Sequence, residues 1–93
     1  MASAPTLGAR VARAAAIAAR DGAAEGLACL EALGRPADVL AATWAVRGDL
    51  LARLKRSDEA ALAYATAARL TRPGAARGYL EARHLEFSTR GTA

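Results

Sequence analysis

The sequence predicts an all-α fold, in which five helices pack into one small domain. Alanine accounts for 28 of the 93 residues, and alanine is the best helix former while being depleted in β-strands. Hydrophobic residues make up 54% of the chain, which is enough for a packed core and too much for a disordered segment. The chain has one cysteine, so no disulfide within it can stabilise the fold. We therefore expect the fold to depend on packing between alanine-rich helices.

Two helices are predicted in the N-terminal third of the chain. The first is predicted from Pro5 to Arg20, with Ser3 in place to cap it, because proline suits the first turn of a helix. Gly22 can take the left-handed conformation that ends a helix. The second helix is predicted over residues 23–33, where leucines recur at every third position.

Three further helices follow, separated by short breaks. The third is predicted over residues 37–54. Ser57 is a good N-cap for a fourth helix over residues 58–70, whose first residues are acidic, as the helix dipole favours. A proline-glycine pair precedes a fifth helix over residues 75–87, and residues 88–93 are predicted to be a frayed tail. Because every connection is short, successive helices should pack antiparallel.

A repeat with a period of 34 residues organises these helices. Shifting the sequence by that period places small residues opposite small ones and large opposite large. The matched positions are Ala14, Gly48 and Ala82; Ile17, Leu51 and Leu85; Gly26 and Ala60; Leu30 and Tyr64; and Leu33 and Ala67. We divide the single domain, residues 1–93, into repeat one over about 7–36, repeat two over about 37–72 and a capping helix over about 75–87. One hairpin cannot bury its apolar face alone, so stacked repeats share a core.

Repeat two resembles the tetratricopeptide repeat. Its first helix contains Trp44-x-x-Arg47-Gly48-x-x-Leu51, where the family has Trp-x-x-Leu-Gly-x-x-Tyr, so Arg47 and Leu51 depart from the pattern. The small, aromatic and small positions of the family's second helix are occupied by Ala60, Tyr64 and Ala67. The resemblance implies a right-handed solenoid of about two helical hairpins, closed by the C-terminal capping helix.

A second and more specific resemblance spans about residues 7–87. The segments that carry it are 13–18 with 21–27, 47–54, 59–64 and 79–83. They are similar to the C-terminal tetratricopeptide-like extension of a group of bacterial extracytoplasmic-function sigma factors, although Ala12 stands where that family usually has asparagine. The resemblance implies a regulator of transcription initiation that contacts a protein partner related to the sigma factor or to RNA polymerase. Because 93 residues cannot also hold the promoter-binding and polymerase-binding domains, we expect an isolated extension or a stand-alone relative.

The sequence contains no recognised catalytic motif. Cys29 and His84 lie in different predicted helices, and neither has acidic or histidine neighbours at metal-ligand spacing. We interpret Cys29 as a small packing residue and His84 as a rim residue of the capping helix. No glycine-rich phosphate loop or nucleophile elbow is present. We therefore predict no enzyme activity, no cofactor and no bound metal.

A partner-binding surface is predicted by the resemblance, since the first helices of such hairpins line a concave face. On this face we expect Asp49 and Arg53 from repeat two, extended by Tyr79, Arg83 and Phe87 from the fifth helix. Guanidinium groups bind carboxylates strongly. The hypothesis is that Arg53 and Arg83 together bind an acidic partner or the C-terminal carboxylate of one.

Two other functions remain open at this stage. The net charge of +4 would suit a basic protein associated with nucleic acid, although acidic residues are interspersed with the basic ones. The residues that would then contact phosphates are Arg53, Lys55, Arg56 and Arg72. The third possibility is an orphan helical domain that dimerises, and the sequence leaves the oligomeric state undetermined.

No segment of the sequence is apolar enough to span a membrane. Arg10, Arg13 and Arg20 interrupt the most apolar stretch, whereas a membrane-spanning helix needs about 20 apolar residues. Three arginines and no acid in residues 1–20 also suit a transit peptide, but the repeat requires this segment as half of a hairpin. We therefore predict a cytoplasmic protein.

Overall fold

The computed structural model describes residues 6–91, and five α-helices account for most of this range. The α-helices are α1 (Leu7–Asp21), α2 (Ala23–Glu31), α3 (Ala41–Arg53), α4 (Ser57–Leu70) and α5 (Ala75–Gly91), with a short 3-10 helix, Arg35–Val39, between α2 and α3. Each α-helix packs against the next in the chain, and α1 also contacts α3. The chain measures 51 × 30 × 20 Å along its principal axes. The predicted all-α class is therefore confirmed for the described residues.

The first helix is capped by a residue that the sequence pattern did not indicate. The Thr6 hydroxyl accepts a hydrogen bond of 3.1 Å from the backbone N–H of Ala9, which satisfies one of the free donors at a helix start. The predicted cap, Ser3, and the predicted first residue, Pro5, lie outside the described residues. At the other end, Gly22 has a φ of 106°, so the predicted break at this glycine is confirmed.

The third helix begins later than predicted, because the chain first forms the separate 3-10 helix. Leu40 is extended and divides this turn from α3. The Thr43 hydroxyl donates to the Ala37 carbonyl at 2.6 Å, and the Trp44 indole N–H donates to the Asp38 carbonyl at 2.8 Å. In one continuous helix these carbonyls would accept from backbone N–H groups four residues later. Here the side chains of Thr43 and Trp44 donate to these carbonyls instead. The prediction of a helix over 37–54 was therefore wrong in its first turn.

The turn between α3 and α4 also differs from the prediction. Lys55 takes the left-handed conformation, with a φ of 63°, and Ser57 is the first residue of α4 instead of its cap. The capping residue is Arg56, whose side chain makes no capping hydrogen bond and instead forms an ion pair with Glu59. The predicted acidic first turn is confirmed.

The last helix is longer than predicted. α5 continues through Gly91, so the prediction of a frayed tail over residues 88–93 was wrong for its first four residues. Within this final turn Arg90 pairs with Glu86 at 3.0 Å, a spacing of four residues that stabilises a helix by about 0.2–0.5 kcal/mol. α2, in contrast, ends at Glu31, two residues before its predicted end.

The buried residues form two clusters of unequal size. The smaller, in the first hairpin, contains Val11, Ala14 and Leu30. The larger has ten residues from α3, α4 and α5 around Tyr64, whose side chain is 1% exposed, and it also takes in Ala18 of α1 and Leu27 of α2. Apolar burial contributes about 25 cal/mol per Å², so most of the hydrophobic stabilisation comes from the C-terminal three helices.

Most positions that the 34-residue repeat matches are buried in these clusters. Those buried are Ala14, Gly26, Leu30, Gly48, Leu51, Ala60, Tyr64 and Ala67, and Ile17 and Leu33 are half-buried, as is Trp44 of the tetratricopeptide motif. Ala82 and Leu85 differ, since both are exposed, Leu85 to 64%. Their counterparts in α1 and α3 face a second helix, whereas α5 is the last helix described and packs mainly against α4.

Candidate interaction surface

The Tyr64 hydroxyl connects two of the predicted site residues. Tyr64 lies in α4, and its hydroxyl donates a hydrogen bond to the carboxylate of Asp49 in α3. Arg83 in α5 donates from Nη2 to the same hydroxyl oxygen at 3.4 Å. Burial, together with the hydrogen bond to Asp49, raises the pKa of Tyr64 to about 12. The phenol therefore stays protonated at neutral pH and joins the three helices.

Glycine allows the tyrosine to occupy this position. A Cβ atom at Gly48 would lie 2.9 Å from the Tyr64 ring, closer than packed carbon atoms approach. A second such contact exists in the first hairpin, where a Cβ at Gly26 would lie 2.3 Å from the Cβ of Ala18. A close helix approach is therefore present in each hairpin, at Gly26 in the first and at Gly48 in the second.

Arg83 lies against two aromatic rings and is not a free cation. Its guanidinium carbon lies 5.4 Å from the Tyr64 ring centre and 4.8 Å from that of Phe87. Nη1 donates to Glu86 at 2.8 Å, and the hydrogen bond with Tyr64 is the main cause that raises the pKa of Arg83. Nε is buried without a hydrogen-bond partner. With both terminal nitrogens engaged inside the protein, this side chain positions its neighbours.

Phe87 requires a correction. It was expected on the partner-binding face, but its side chain is 4% exposed and its ring lies against Tyr64, with ring centres 5.9 Å apart. The reason is the rotation of α5, which turns Phe87 towards α4 instead of towards the solvent. It is a core residue and presents no surface to a partner.

Two predicted site residues are exposed beside this cluster. Arg53 lies one helical turn after Asp49 and is exposed, and no ion pair to it forms within residues 6–91. Tyr79 lies one turn before Arg83 and is 57% exposed. Residues four apart share a helix face. The candidate surface therefore consists of exposed Arg53 and Tyr79, flanking the half-buried carboxylate of Asp49 and the partly exposed Arg83.

Sequence reasoning missed one packed cation. The Arg47 guanidinium carbon lies 4.4 Å from the centre of the Trp44 ring, and its Nη2 lies 3.8 Å from the Asp38 carboxylate. A cation above an indole ring is attracted by the ring quadrupole. The spacing of three residues between Trp44 and Arg47 was the available signal, because such residues are neighbours on a helix. This contact gives Arg47 a packing role at the position where the tetratricopeptide pattern has leucine.

The histidine and the cysteine lie in two separate grooves. His84 makes a contact of 2.8 Å from Nδ1 to the Ala61 carbonyl, beside a groove of about 300 Å³ that Leu62 and Asp58 help to line. Cys29 is a free, half-buried thiol in a groove of about 340 Å³ between α1 and α2. Within the described range, no group of three or more His, Cys, Asp or Glu residues is placed to hold a metal ion.

The cations proposed to contact nucleic acid are not all available. Arg56 is paired with Glu59, and that hydrogen bond lowers the pKa of the Glu59 carboxyl. Arg53, Lys55 and Arg72 are exposed. Three cations form a weaker phosphate-binding surface than four would.

Comparison of the chain with protein-family models, with curated protein sequences and with solved structures gives no match. The similarity to the sigma-factor extension thus depends on the residues quoted above. Over the helices that the structure describes, none is both long and apolar enough to cross a membrane.

Proposed function

We propose that the chain is a non-catalytic, tetratricopeptide-like module that binds a protein partner and regulates transcription initiation, as the C-terminal extension of extracytoplasmic-function sigma factors does. The single observation that carries the proposal is the close packing of the Tyr64 ring against Gly48. These residues stand at the glycine and aromatic positions of the repeat motif, and they meet where the motif requires two helices to approach closely. In this proposal the hairpins stack as a right-handed solenoid and the protein works in the cytoplasm.

The proposed binding surface is the exposed stripe of Arg53 and Tyr79 beside the Asp49 and Arg83 cluster. Arginine and tyrosine are enriched among residues that dominate binding energy at protein interfaces. The Tyr64 hydroxyl and the ring of Phe87 hold Asp49 and Arg83 in fixed positions. A preorganised surface loses less side-chain entropy on binding. The exposed Arg53 and Tyr79 fit a partner that has an acidic side chain and an apolar neighbour.

Binding to RNA polymerase tests this proposal. The protein is immobilised, and purified bacterial RNA polymerase, with and without an extracytoplasmic-function sigma factor, is passed over it in biolayer interferometry. We expect saturable binding by the wild-type protein and a loss of at least tenfold in affinity for the Arg53→Ala, Tyr79→Ala double variant. A tenfold loss corresponds to about 1.4 kcal/mol, which is within the range for truncating two interface residues.

The matched control removes one exposed cation and one large exposed apolar side chain elsewhere. The Arg72→Ala, Leu62→Ala variant meets this description, since Arg72 is exposed and Leu62 is 68% exposed. It should bind like wild type. Absence of binding by the wild-type protein to either polymerase form would contradict the transcription proposal. Binding to bare DNA that disappears between about 50 and 200 mM salt would favour the nucleic-acid alternative instead.

A further inference from the structure

The groove between α1 and α2 has an apolar floor and a basic rim. Its floor includes Cys29 and Leu33, which pack against the buried cluster of the first hairpin, and its rim includes Arg10 and Arg13. Its volume is about 340 Å³, near the lower limit for sites that hold a small ligand. A site of this size accommodates one or two side chains of a bound peptide.

The two arginines of this groove are not neutralised by the protein. Six other arginines form ion pairs with carboxylates, whereas Arg10 and Arg13 form none within the described residues. Residues 7–20 contain no acidic residue, and Asp21 is already paired with Arg20. No carboxylate lines the groove. The rim therefore has two unopposed positive charges.

We infer that this groove binds an acidic peptide segment in which an apolar side chain is flanked by carboxylates. Arg10 and Arg13 lie three residues apart on α1, where side chains are neighbours about 5–6 Å apart at Cβ. Guanidinium groups at this spacing can each bind a carboxylate through two parallel hydrogen bonds. The apolar side chain between those carboxylates packs against Leu33 and Cys29 and is thereby removed from water.

The chemistry of the groove favours a peptide over a nucleic acid. Phosphate binding requires positive charge and, for single strands, aromatic rings that stack on bases. The floor of this groove instead consists of aliphatic and thiol groups. The inference concerns a surface that is separate from Arg53 and Tyr79, so the two proposals fail or succeed independently.

Fluorescence anisotropy with a labelled peptide, Glu-Asp-Leu-Asp-Glu, tests the inference at low salt. We expect saturable binding by wild type and a loss of at least tenfold in affinity for the Arg10→Glu, Arg13→Glu variant. The matched control is Arg69→Glu, Arg72→Glu, which changes the net charge equally at two exposed cations of another region. The control should bind within about twofold of wild type. Circular dichroism of both variants verifies that the helices remain.

Two further measurements separate groove binding from general charge attraction. Replacing the peptide's leucine by glycine should weaken binding at least tenfold, because the floor then remains hydrated. Cys29 is the one cysteine of the chain, so its rate of alkylation reports on occupancy, and the leucine peptide should slow it. Equal binding of both peptides, an equal loss in the control variant, an unchanged alkylation rate or absence of binding by wild type would each overturn the inference.

Discussion

Among single residues, Tyr64 connects three of the helices. Its ring lies on Gly48, and its hydroxyl donates to Asp49 and accepts from Arg83. The Tyr64→Phe variant keeps the ring and removes both hydrogen bonds, leaving two charged groups without that partner. We expect the free energy of unfolding, measured by urea denaturation at pH 7, to fall by about 1–2 kcal/mol. An unchanged midpoint would show that the hydroxyl contributes nothing.

The same variant should alter the alkaline dependence of stability. The pKa of Tyr64 is raised from an unfolded value of 10 to about 12 in the folded protein, so between these values the unfolded chain loses a proton that the folded chain keeps. Stability due to this group is complete below about pH 10 and is lost as the pH rises towards 12, by at most about 1.4 kcal/mol per pH unit. Tyr64→Phe should abolish that part of the slope. An absorbance change of the Tyr64 phenol at pH 10 in the native protein would contradict the raised pKa.

The candidate site was only partly predictable at this scale. The resemblance to the repeat family predicts Arg53 and Tyr79 on a surface, and both residues are exposed. Periodicity does not give the rotation of α5 against α4, and that rotation decides whether Phe87 faces the core or the solvent. It also does not reveal that a buried hydroxyl would bind both Asp49 and Arg83.

At the scale of elements, backbone propensity and tertiary hydrogen bonds together determine where each helix begins and ends. The five helices follow from alanine content and from the glycine and proline breaks, and four of them overlap their predicted ranges almost completely. The exception is the start of α3, where Thr43 and Trp44 donate to the carbonyls of the preceding turn. Such contacts six residues apart are invisible to a pattern search, which finds only positions within one regular element.

A pair of glycines offers a test of helix packing. Alanine normally stabilises a helix relative to glycine by about 1 kcal/mol. At Gly78 in α5 a Cβ meets no atom within 4 Å, so Gly78→Ala should stabilise the protein by about 0.5–1 kcal/mol. At Gly48 the added Cβ collides with the buried Tyr64 ring, and overpacking costs about 1–3 kcal/mol. Gly48→Ala should therefore destabilise the protein in the same urea experiment. Equal effects at both positions would show that α3 and α4 do not approach closely.

For the whole molecule, each of the two hairpins has a close helix approach, but the core is divided unevenly between them. Gly26 in the first hairpin and Gly48 in the second each allow a close helix approach. Buried residues, in contrast, concentrate in α4, which has six of them, five alanines and Tyr64, against three each in α1 and α2. The first hairpin is attached to the rest mainly through α3, and half-buried Val46 packs against both clusters.

This asymmetry predicts which part of the molecule opens first. Local unfolding requires less free energy where fewer apolar contacts must be broken. The slowest-exchanging amides should therefore belong to α4, and those of α1 and α2 should exchange at least tenfold faster in native-state hydrogen exchange read by nuclear magnetic resonance. Leu30→Ala, in the smaller cluster, should accelerate exchange in α1 and α2 more than in α4, because it removes one of the three buried residues there. Equal protection of all five helices, and equal acceleration by this variant, would show that both clusters unfold as one unit.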